Sequence, residues 1–176
     1  MNICPRFLTP DSKHFDCEIF YLQTSNKEIQ LIQRALATTY ENILNVIMGG
    51  ELELIKEAYN SQRNQYNADI LLRYLLEIKK KDTALWVIKK DLYCNGMNFV
   101  FGYAIYHRGA VLSTYRLSSQ KLIEKEAIHE VGHIMGLRHC RNHCVMQFSN
   151  SLWEAKMKSS SLCENCKRKI MSFSNH

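Results

Sequence analysis

His129-Glu-Val-Gly-His-Ile-Met-Gly-Leu-Arg-His139 has the spacing HExxHxxGxxH, which is typical of a zinc site built on a helix. Residues four apart lie one above the other on a helix, so His129 and His133 can present two imidazoles to one metal ion. Glu130 lies beside them, where a carboxylate can accept a proton from a zinc-bound water. We expect Gly136 to take a positive φ that ends the helix and lets His139 return as a third ligand. Three histidines leave a fourth position open, as in catalytic zinc sites.

A simpler interpretation of this motif has to be weighed. The five-residue pattern HExxH occurs in many helices as two solvated histidines and a surface glutamate. The additional Gly136 and His139 at fixed offsets remove most of that freedom, because a surface helix has no reason to stop there and resume with histidine. The full pattern therefore predicts a catalytic zinc centre with His129, His133 and His139 as ligands and Glu130 as the catalytic residue.

Four cysteines follow the motif as two close pairs separated by a loop. Cys140 and Cys144 form the first pair, and Cys163 and Cys166 form the second. This spacing is typical of a structural zinc site with four thiolate ligands and no open position. The alternative is two pairs of reduced thiols or disulfides.

Taken together, HExxHxxGxxHC, the Cys144-Val-Met146 element and Cys163-Glu-Asn-Cys166 resemble the archaemetzincin family of small metallopeptidases. The family usually has four residues between its first two zinc cysteines, whereas this chain has three, which leaves open that His143 replaces one thiolate. Several upstream segments also look like that family: Ala58-Tyr-Asn-Ser-Gln-Arg63, Gln65-Tyr-Asn-Ala68, Asp91-Leu-Tyr93, Asn98-Phe-Val-Phe-Gly102 and Ser113-Thr-Tyr-Arg-Leu117.

The resemblance implies a zinc-dependent metallopeptidase that acts on a peptide or protein substrate. Glu130 would be the general base for a zinc-bound water, and two zinc ions, one catalytic and one structural, would be bound per chain. Met146 would lie in a tight turn beneath the catalytic metal. Some metzincins supply a tyrosine shortly after the motif as an oxyanion stabiliser, but here all tyrosines precede Glu130. Tyr115 or Arg116 could reach the cleft instead, although a structural role is the more expected one for either. Whether the enzyme trims amino termini or cuts internally is left open.

Length and composition fit a single domain, because 176 residues with 46% hydrophobic content can bury one core. We expect an N-terminal subdomain, 1–136, with the active-site helix, and a small C-terminal subdomain, 137–176, held by the structural zinc.

Met1 to Pro10 lacks the regions of a secretory signal, and no apolar run is long enough to span a membrane. The three remaining cysteines, Cys4, Cys17 and Cys94, are scattered and odd in number, which favours a reducing compartment. We expect a monomeric cytoplasmic protein.

Alternating strand and helix patterns predict an α/β fold with a mostly parallel sheet and one antiparallel edge strand. We expect strands at 17–22, 43–48 (stopped by Gly49-Gly50) and 84–88, helices from Ser25 to Tyr40 and from 68 to 80, and the active-site helix from 119 to 135. A hairpin is expected between 99–106 and 110–117. By resemblance to metzincins, Asn98 to Tyr106 would be the edge strand that receives the substrate. On it, Gly102 and Ala104 either permit a close approach or merely ease packing.

Two other functions remain open from sequence alone. In the first, the chain keeps the scaffold as a non-hydrolytic zinc-binding or peptide-binding module. The cysteine lobe could instead bind nucleic acid, because the tail from Ser151 carries five basic and two acidic residues. However, the basic residues are dispersed, and only two aromatic residues follow Ser151, so nucleic-acid binding is not expected.

Overall fold

The computed structural model describes residues 14–41 and 43–173. The expectations for Cys4 and for residues 1–10 lie outside these ranges. Strands in the described part are β1 (Phe15–Leu22), β2 (Leu44–Glu51), β3 (Tyr59–Asn60), β4 (Gln65–Asn67), β5 (Thr83–Ile88), β6 (Leu92–Cys94), β7 (Met97–Val100), β8 (Gly102–Ile105) and β9 (Gly109–Ser113). Its α-helices are α1 (Asn26–Thr39), α2 (Ala68–Ile78), α3 (Gln120–Ile134), α4 (Leu152–Met157) and α5 (Glu164–Phe173).

The main sheet has five strands in the order β2-β1-β5-β9-β8. β1 pairs in parallel with β2 and β5, and β5 pairs in parallel with β9. β8 runs antiparallel to β9 at the edge. The expectation of a mostly parallel sheet with one antiparallel edge strand is therefore confirmed.

Helices cover both faces of this sheet, and β5 shows why its sequence is continuously apolar. Leu85 and Val87 pack in one hydrophobic core with α1 and α3. The alternate residues Ala84, Trp86 and Ile88 pack in a second core with α2. Because side chains alternate between the faces of a strand, a strand covered on both sides needs apolar residues at every position.

The three helices that the sequence predicted, α1, α2 and α3, begin where they were expected. Ser25 caps α1, accepting from the Glu28 backbone N–H at 3.2 Å, while the Glu28 carboxylate accepts from the Ser25 N–H at 3.1 Å. Asn67 caps α2 by accepting from the backbone N–H groups of residues 69 and 70. Among the residues described, no helix has the length and apolar character needed to cross a membrane.

The expectation that Gly49-Gly50 ends the second strand is wrong. β2 continues to Glu51, and its pairing with β1 shifts register between Ile19 and Phe20. A β-carbon on Gly49 would lie 2.7 Å from a ring carbon of Phe20. Gly49 is skipped in this register, because Met48 lies opposite Ile19 and Gly50 lies opposite Phe20. The glycine therefore marks a bulge on which the Phe20 ring packs, and pairing resumes at Gly50.

The segment Asn98 to Tyr106 is not one strand, which corrects a second expectation. Its first part belongs to β7, which pairs with β6 in a second sheet of order β3-β4-β6-β7. Only β8 joins the main sheet, where it forms the predicted hairpin with β9. The chain changes sheets at Phe101, whose carbonyl oxygen still accepts from Ser113 at 2.7 Å. The antiparallel edge of the main sheet is thus the four-residue strand β8.

Candidate active site

Helix α3 presents the motif towards a cleft and ends within it. Ser119 caps its first turn by accepting from the Leu122 N–H at 3.3 Å. At the other end, Gly136 has φ 84°, and the Leu137 N–H donates to the Gly132 carbonyl at 2.9 Å. This left-handed glycine, as expected from the spacing, reverses the chain and brings His139 back to the helix.

The three histidines converge as metal ligands require. His129 Nε2 and His133 Nε2 are 3.1 Å apart, and the ligand atoms of His129, His133 and His139 lie within 4.8 Å of one another. Tetrahedral Zn–N bonds of about 2.0–2.1 Å place nitrogen atoms about 3.3–3.4 Å apart. The residues present therefore fit a zinc ion.

Backbone carbonyls orient two of these rings. His129 Nδ1 lies 2.9 Å from the Val145 carbonyl, and His133 Nδ1 lies 2.7 Å from the Leu137 carbonyl. Donation from Nδ1 leaves the lone pair of Nε2 for a metal. Burial lowers the pKa of His129 well below its usual value and lowers the pKa of His133 to about 4. Burial also lowers the pKa of His139, so all three imidazoles are neutral near pH 7, as ligands must be.

Glu130 is buried beside the histidines, with 5% of its surface exposed. Burial, and after it the charge of Glu126, raises the pKa of Glu130 to about 8, while Lys158 acts in the opposite direction. Strand β8 packs directly against this carboxylate, since a β-carbon on Gly102 would overlap the Glu130 carboxyl group. Gly102 is therefore required for the close approach of strand and helix.

Four thiols form a second cluster next to the histidines. Cys140 Sγ and Cys163 Sγ are 3.8 Å apart, and Cys144 Sγ and Cys166 Sγ are also 3.8 Å apart. A tetrahedral site with Zn–S bonds of about 2.3 Å places sulfur atoms about 3.8 Å apart. These cysteines are free thiols rather than disulfides. His143 is exposed and is not a member of the cluster.

Met146 lies in a turn that packs against α3 at Gly132. A β-carbon on Gly132 would overlap Met146 Sδ, so Gly132 lets the thioether pack against the helix. The Met146 carbonyl accepts from the Cys140 N–H at 2.9 Å. This bond joins the turn below the histidines to the first cysteine of the second cluster.

The cleft in front of these groups has a volume of about 320 Å³. Its walls come from β7, β8, the active-site helix and the segment after Met146. Neither Tyr115 nor Arg116 lines it. Tyr115 is 59% exposed, and Arg116 instead stacks on Phe99 with its guanidinium 4.3 Å from the ring centre. Seven aromatic or sulfur-containing side chains line the walls: Cys94, Met97, Phe99, Phe101, Tyr103, Tyr106 and Phe148.

Comparison with known proteins identifies the family. Residues 21–172 match the model of peptidase family M54. The chain belongs to this family. The archaemetzincin of Nanoarchaeum equitans is 46% identical over 125 residues, which cover 71% of this chain and 74% of that protein.

Two solved M54 structures share the fold. The crystal structure of the Archaeoglobus fulgidus archaemetzincin complexed with malonate matches with a TM-score of 0.79 and 36% identity, covering 88% of this chain and 99% of that chain. The Methanopyrus kandleri archaemetzincin matches with a TM-score of 0.84 and 31% identity, covering 97% of this chain and 100% of that chain. The recognition of an archaemetzincin is confirmed, and membership in M54 implies a zinc metallopeptidase.

Two charged residues of this M54 site escaped the sequence analysis. Glu126 and Lys158 are both buried and both line the cleft. Glu126 had a usable signal, because it precedes Glu130 by four residues and therefore lies on the metal-facing side of the helix. Lys158 had none, because nothing in its local sequence indicates which distant element it meets.

Proposed function

We propose that this chain hydrolyses peptide bonds with a zinc ion held by His129, His133 and His139 and with Glu130 as general base. The observation that carries the proposal is the convergence of three neutral imidazoles and one buried carboxylate on a cleft beside a sheet edge. Three ligands and an accessible fourth position are characteristic of catalytic zinc. The M54 relatives support the same reaction class.

Each group has a role that follows from its chemistry. Zinc at this site supplies Lewis acidity, which lowers the pKa of water and polarises a carbonyl. Glu130 takes the proton of the attacking water and passes it to the leaving amine. Its pKa, raised to about 8 by burial and by Glu126, falls when a cation is bound nearby, so that the carboxylate is ionised when it is needed.

The edge strand β8 supplies the binding surface for the peptide backbone. β8 is the terminal strand of the sheet order β2-β1-β5-β9-β8, so within the described residues one of its edges has no strand partner. An extended peptide can pair with such an edge through backbone hydrogen bonds. Gly102 on this strand contacts Glu130, which places the edge directly beside the catalytic carboxylate.

We further propose a second, structural zinc held by Cys140, Cys144, Cys163 and Cys166. The sulfur spacing supports it, as does the small size of the C-terminal subdomain, which has little core of its own. Free thiols are also consistent with a reducing compartment such as the cytoplasm and with a monomeric enzyme that needs no intermolecular disulfide.

The test is a cleavage profile of the purified, zinc-loaded chain on a positional peptide library. We expect hydrolysis that stops with a chelator and returns with added zinc, and the position of the cuts will distinguish trimming of amino termini from internal cleavage. Glu130→Gln serves as the matched inactive variant. If the wild type binds peptides but cleaves none, the chain is a binding scaffold and the hydrolytic proposal is wrong.

A further inference from the structure

Two oppositely charged side chains lie buried in the wall of the cleft, and the mechanism above gives them no contact with substrate. Glu126 is 2% exposed and Lys158 is 4% exposed, and Lys158 Nζ lies 2.8 Å from Glu126 Oε1. Both line the cleft together with His129 and Glu130. Burial of an ion pair is unfavourable because each charge loses its hydration. A buried pair at this position therefore needs a functional explanation.

Secondary structure holds the pair in place. Glu126 and Glu130 are four residues apart on α3, so their side chains lie on the same side of the helix. Lys158 directly follows α4. The Lys125 ammonium donates to the backbone carbonyls of Lys156 and Lys158 at 2.8 Å and 2.6 Å. The end of α4 is thus fastened to α3, and Lys158 is presented to the cleft by a rigid element.

The pair retains unused hydrogen-bonding capacity. An ammonium group has three donors, and His129 Nδ1, 3.4 Å from Lys158 Nζ, donates its own proton to Val145 and cannot accept another. Glu126 Oε1 forms an ion pair with this ammonium at 2.8 Å. Among residues 14–41 and 43–173, this oxygen and the Ser149 hydroxyl, which also lines the cleft, have no hydrogen-bond partner.

We propose that Glu126, Lys158 and Ser149 form a substrate subsite for an uncharged carboxamide side chain, glutamine or asparagine, next to the scissile bond. An amide oxygen accepts from Lys158, and an amide nitrogen donates to Glu126. The Ser149 hydroxyl can bond to either end. The inference rests on the proposed function, because it assumes a peptide bound across the zinc site, and it adds the chemical class of side chain preferred there.

Other side-chain classes fit this subsite less well. An acidic side chain meets Lys158 but also the negative charges of Glu126 and Glu130. A basic side chain is attracted by these carboxylates but repelled by Lys158, and it has no oxygen that can accept from the Lys158 ammonium. An apolar side chain displaces water from the ions without replacing its hydrogen bonds. A site built from buried hydrogen-bonding groups discriminates against ligands that leave those groups unpaired.

The experiment measures binding, so it does not depend on turnover. The probes are two series of short peptide hydroxamates, in which the hydroxamate binds the zinc and a Gln, Glu, Lys or Leu side chain is presented on its amino side or on its carboxyl side. Dissociation constants are measured by calorimetry on the zinc-loaded full chain. We expect the Gln compound of one series to bind about tenfold more tightly than its Leu and Glu counterparts.

Variants assign the preference to the pair. Glu126→Gln and Lys158→Met are combined, because removing one partner alone leaves a buried charge that can prevent folding. The double variant should lose the tenfold preference for Gln while keeping both zinc ions. Lys156→Met is the matched control, since Lys156 is exposed on the same helix, and it should keep the preference.

Each outcome decides the proposal. Equal binding of Gln and Leu compounds in both series, or the same preference in the double variant as in the wild type, overturns the subsite. A wild type that binds the Gln compound selectively but cleaves no peptide keeps the subsite and disproves the hydrolytic function, so the two failures are distinguishable.

Discussion

Gly102 on strand β8 and Glu130 on helix α3 touch so closely that the strand has no room for a β-carbon at this position. The contact fixes Glu130, the proposed general base, against the edge that is proposed to bind substrate. It also explains why the small residue at 102 serves a close approach rather than merely easing packing, the two possibilities left open by the sequence.

Gly102→Ala should lower the rate of peptide hydrolysis by roughly 10²-fold, because displacement of a catalytic group by about 1 Å has effects of that size. The added methyl group forces the Glu130 carboxylate away from its position while leaving the three histidines in place. The measurement is kcat/KM together with metal content, and zinc should remain bound.

Gly109→Ala is the matched control on the partner strand. Its β-carbon would lie 2.9 Å from the Ala84 carbonyl oxygen and 3.0 Å from Leu76 Cδ2, in the core below α2 and away from Glu130. It should lower the melting temperature more than Gly102→Ala does, with a smaller effect on the activity of the folded fraction. The reverse pattern would show that Gly102 serves packing alone.

Glu130→Gln should reduce hydrolysis by about 10²–10⁴-fold, the usual contribution of general-base catalysis. The amide has the same shape but cannot accept the proton of the attacking water. Circular dichroism and metal analysis should match the wild type, which separates a chemical effect from unfolding. Wild-type turnover in this variant would exclude Glu130 as the base.

Local spacing allowed most of the site to be predicted from the sequence. The four-residue interval of His129 and His133 and the positive φ of Gly136 depend only on helix geometry and on the freedom of glycine. The main sheet was also predictable, because β5 is apolar throughout and α1 and α2 carry their capping residues. These signals act over a few neighbouring residues.

Features that depend on distant contacts were missed. The second sheet consists of strands of two to four residues, too short for alternation to be recognised. The pairing of Glu126 with Lys158 joins two helical regions through the tertiary fold. Similarly, the sequence around Gly49 predicts the end of a strand, because the contact of Gly49 with the Phe20 ring joins residues that are distant in the chain.

Cys163→Ser should release the more firmly held of two zinc ions and lower the melting temperature. A structural zinc contributes on the order of 10 kcal/mol to the folding of a small metal-dependent unit. Activity should fall secondarily, because Cys140 follows His139 directly. The Cys140 backbone N–H also donates a hydrogen bond to the Met146 carbonyl. Zinc stoichiometry and calorimetry are the measurements.

His143→Ala and Cys94→Ser are the controls for the cysteine cluster. His143 is exposed and outside the four thiols, and Cys94 is a free thiol that lines the cleft instead. Both variants should retain two zinc ions. Loss of the tight zinc in His143→Ala, with its retention in Cys144→Ala, would replace the four-cysteine site by one of three cysteines and a histidine.

Asp91→Asn should lower the free energy of unfolding by about 2 kcal/mol near neutral pH, the usual range for hydrogen bonds to a charged group. The Asp91 carboxylate accepts from Arg116 Nε and Nη2, both at 2.7 Å, and from Gln65 Nε2 at 2.9 Å. Through Arg116, which stacks on Phe99, these bonds brace the cleft wall formed by β7.

The pH dependence of this difference follows from the pKa of Asp91. Burial on its own would raise that pKa, but the hydrogen bonds from Arg116 and Gln65 outweigh its effect. In the folded protein the pKa of the Asp91 carboxyl group is therefore lowered from its ordinary value of 3.8. A lowered pKa contributes stability that is fully present above the unfolded-state pKa of about 3.9 and is lost as the pH falls through the folded-state value. Urea unfolding of the wild type and of Asp91→Asn should therefore show a constant difference from pH 7 to about pH 5 and a shrinking one below about pH 4. A difference that stays constant throughout this acidic range would mean that the ionised carboxylate does not stabilise the cleft wall.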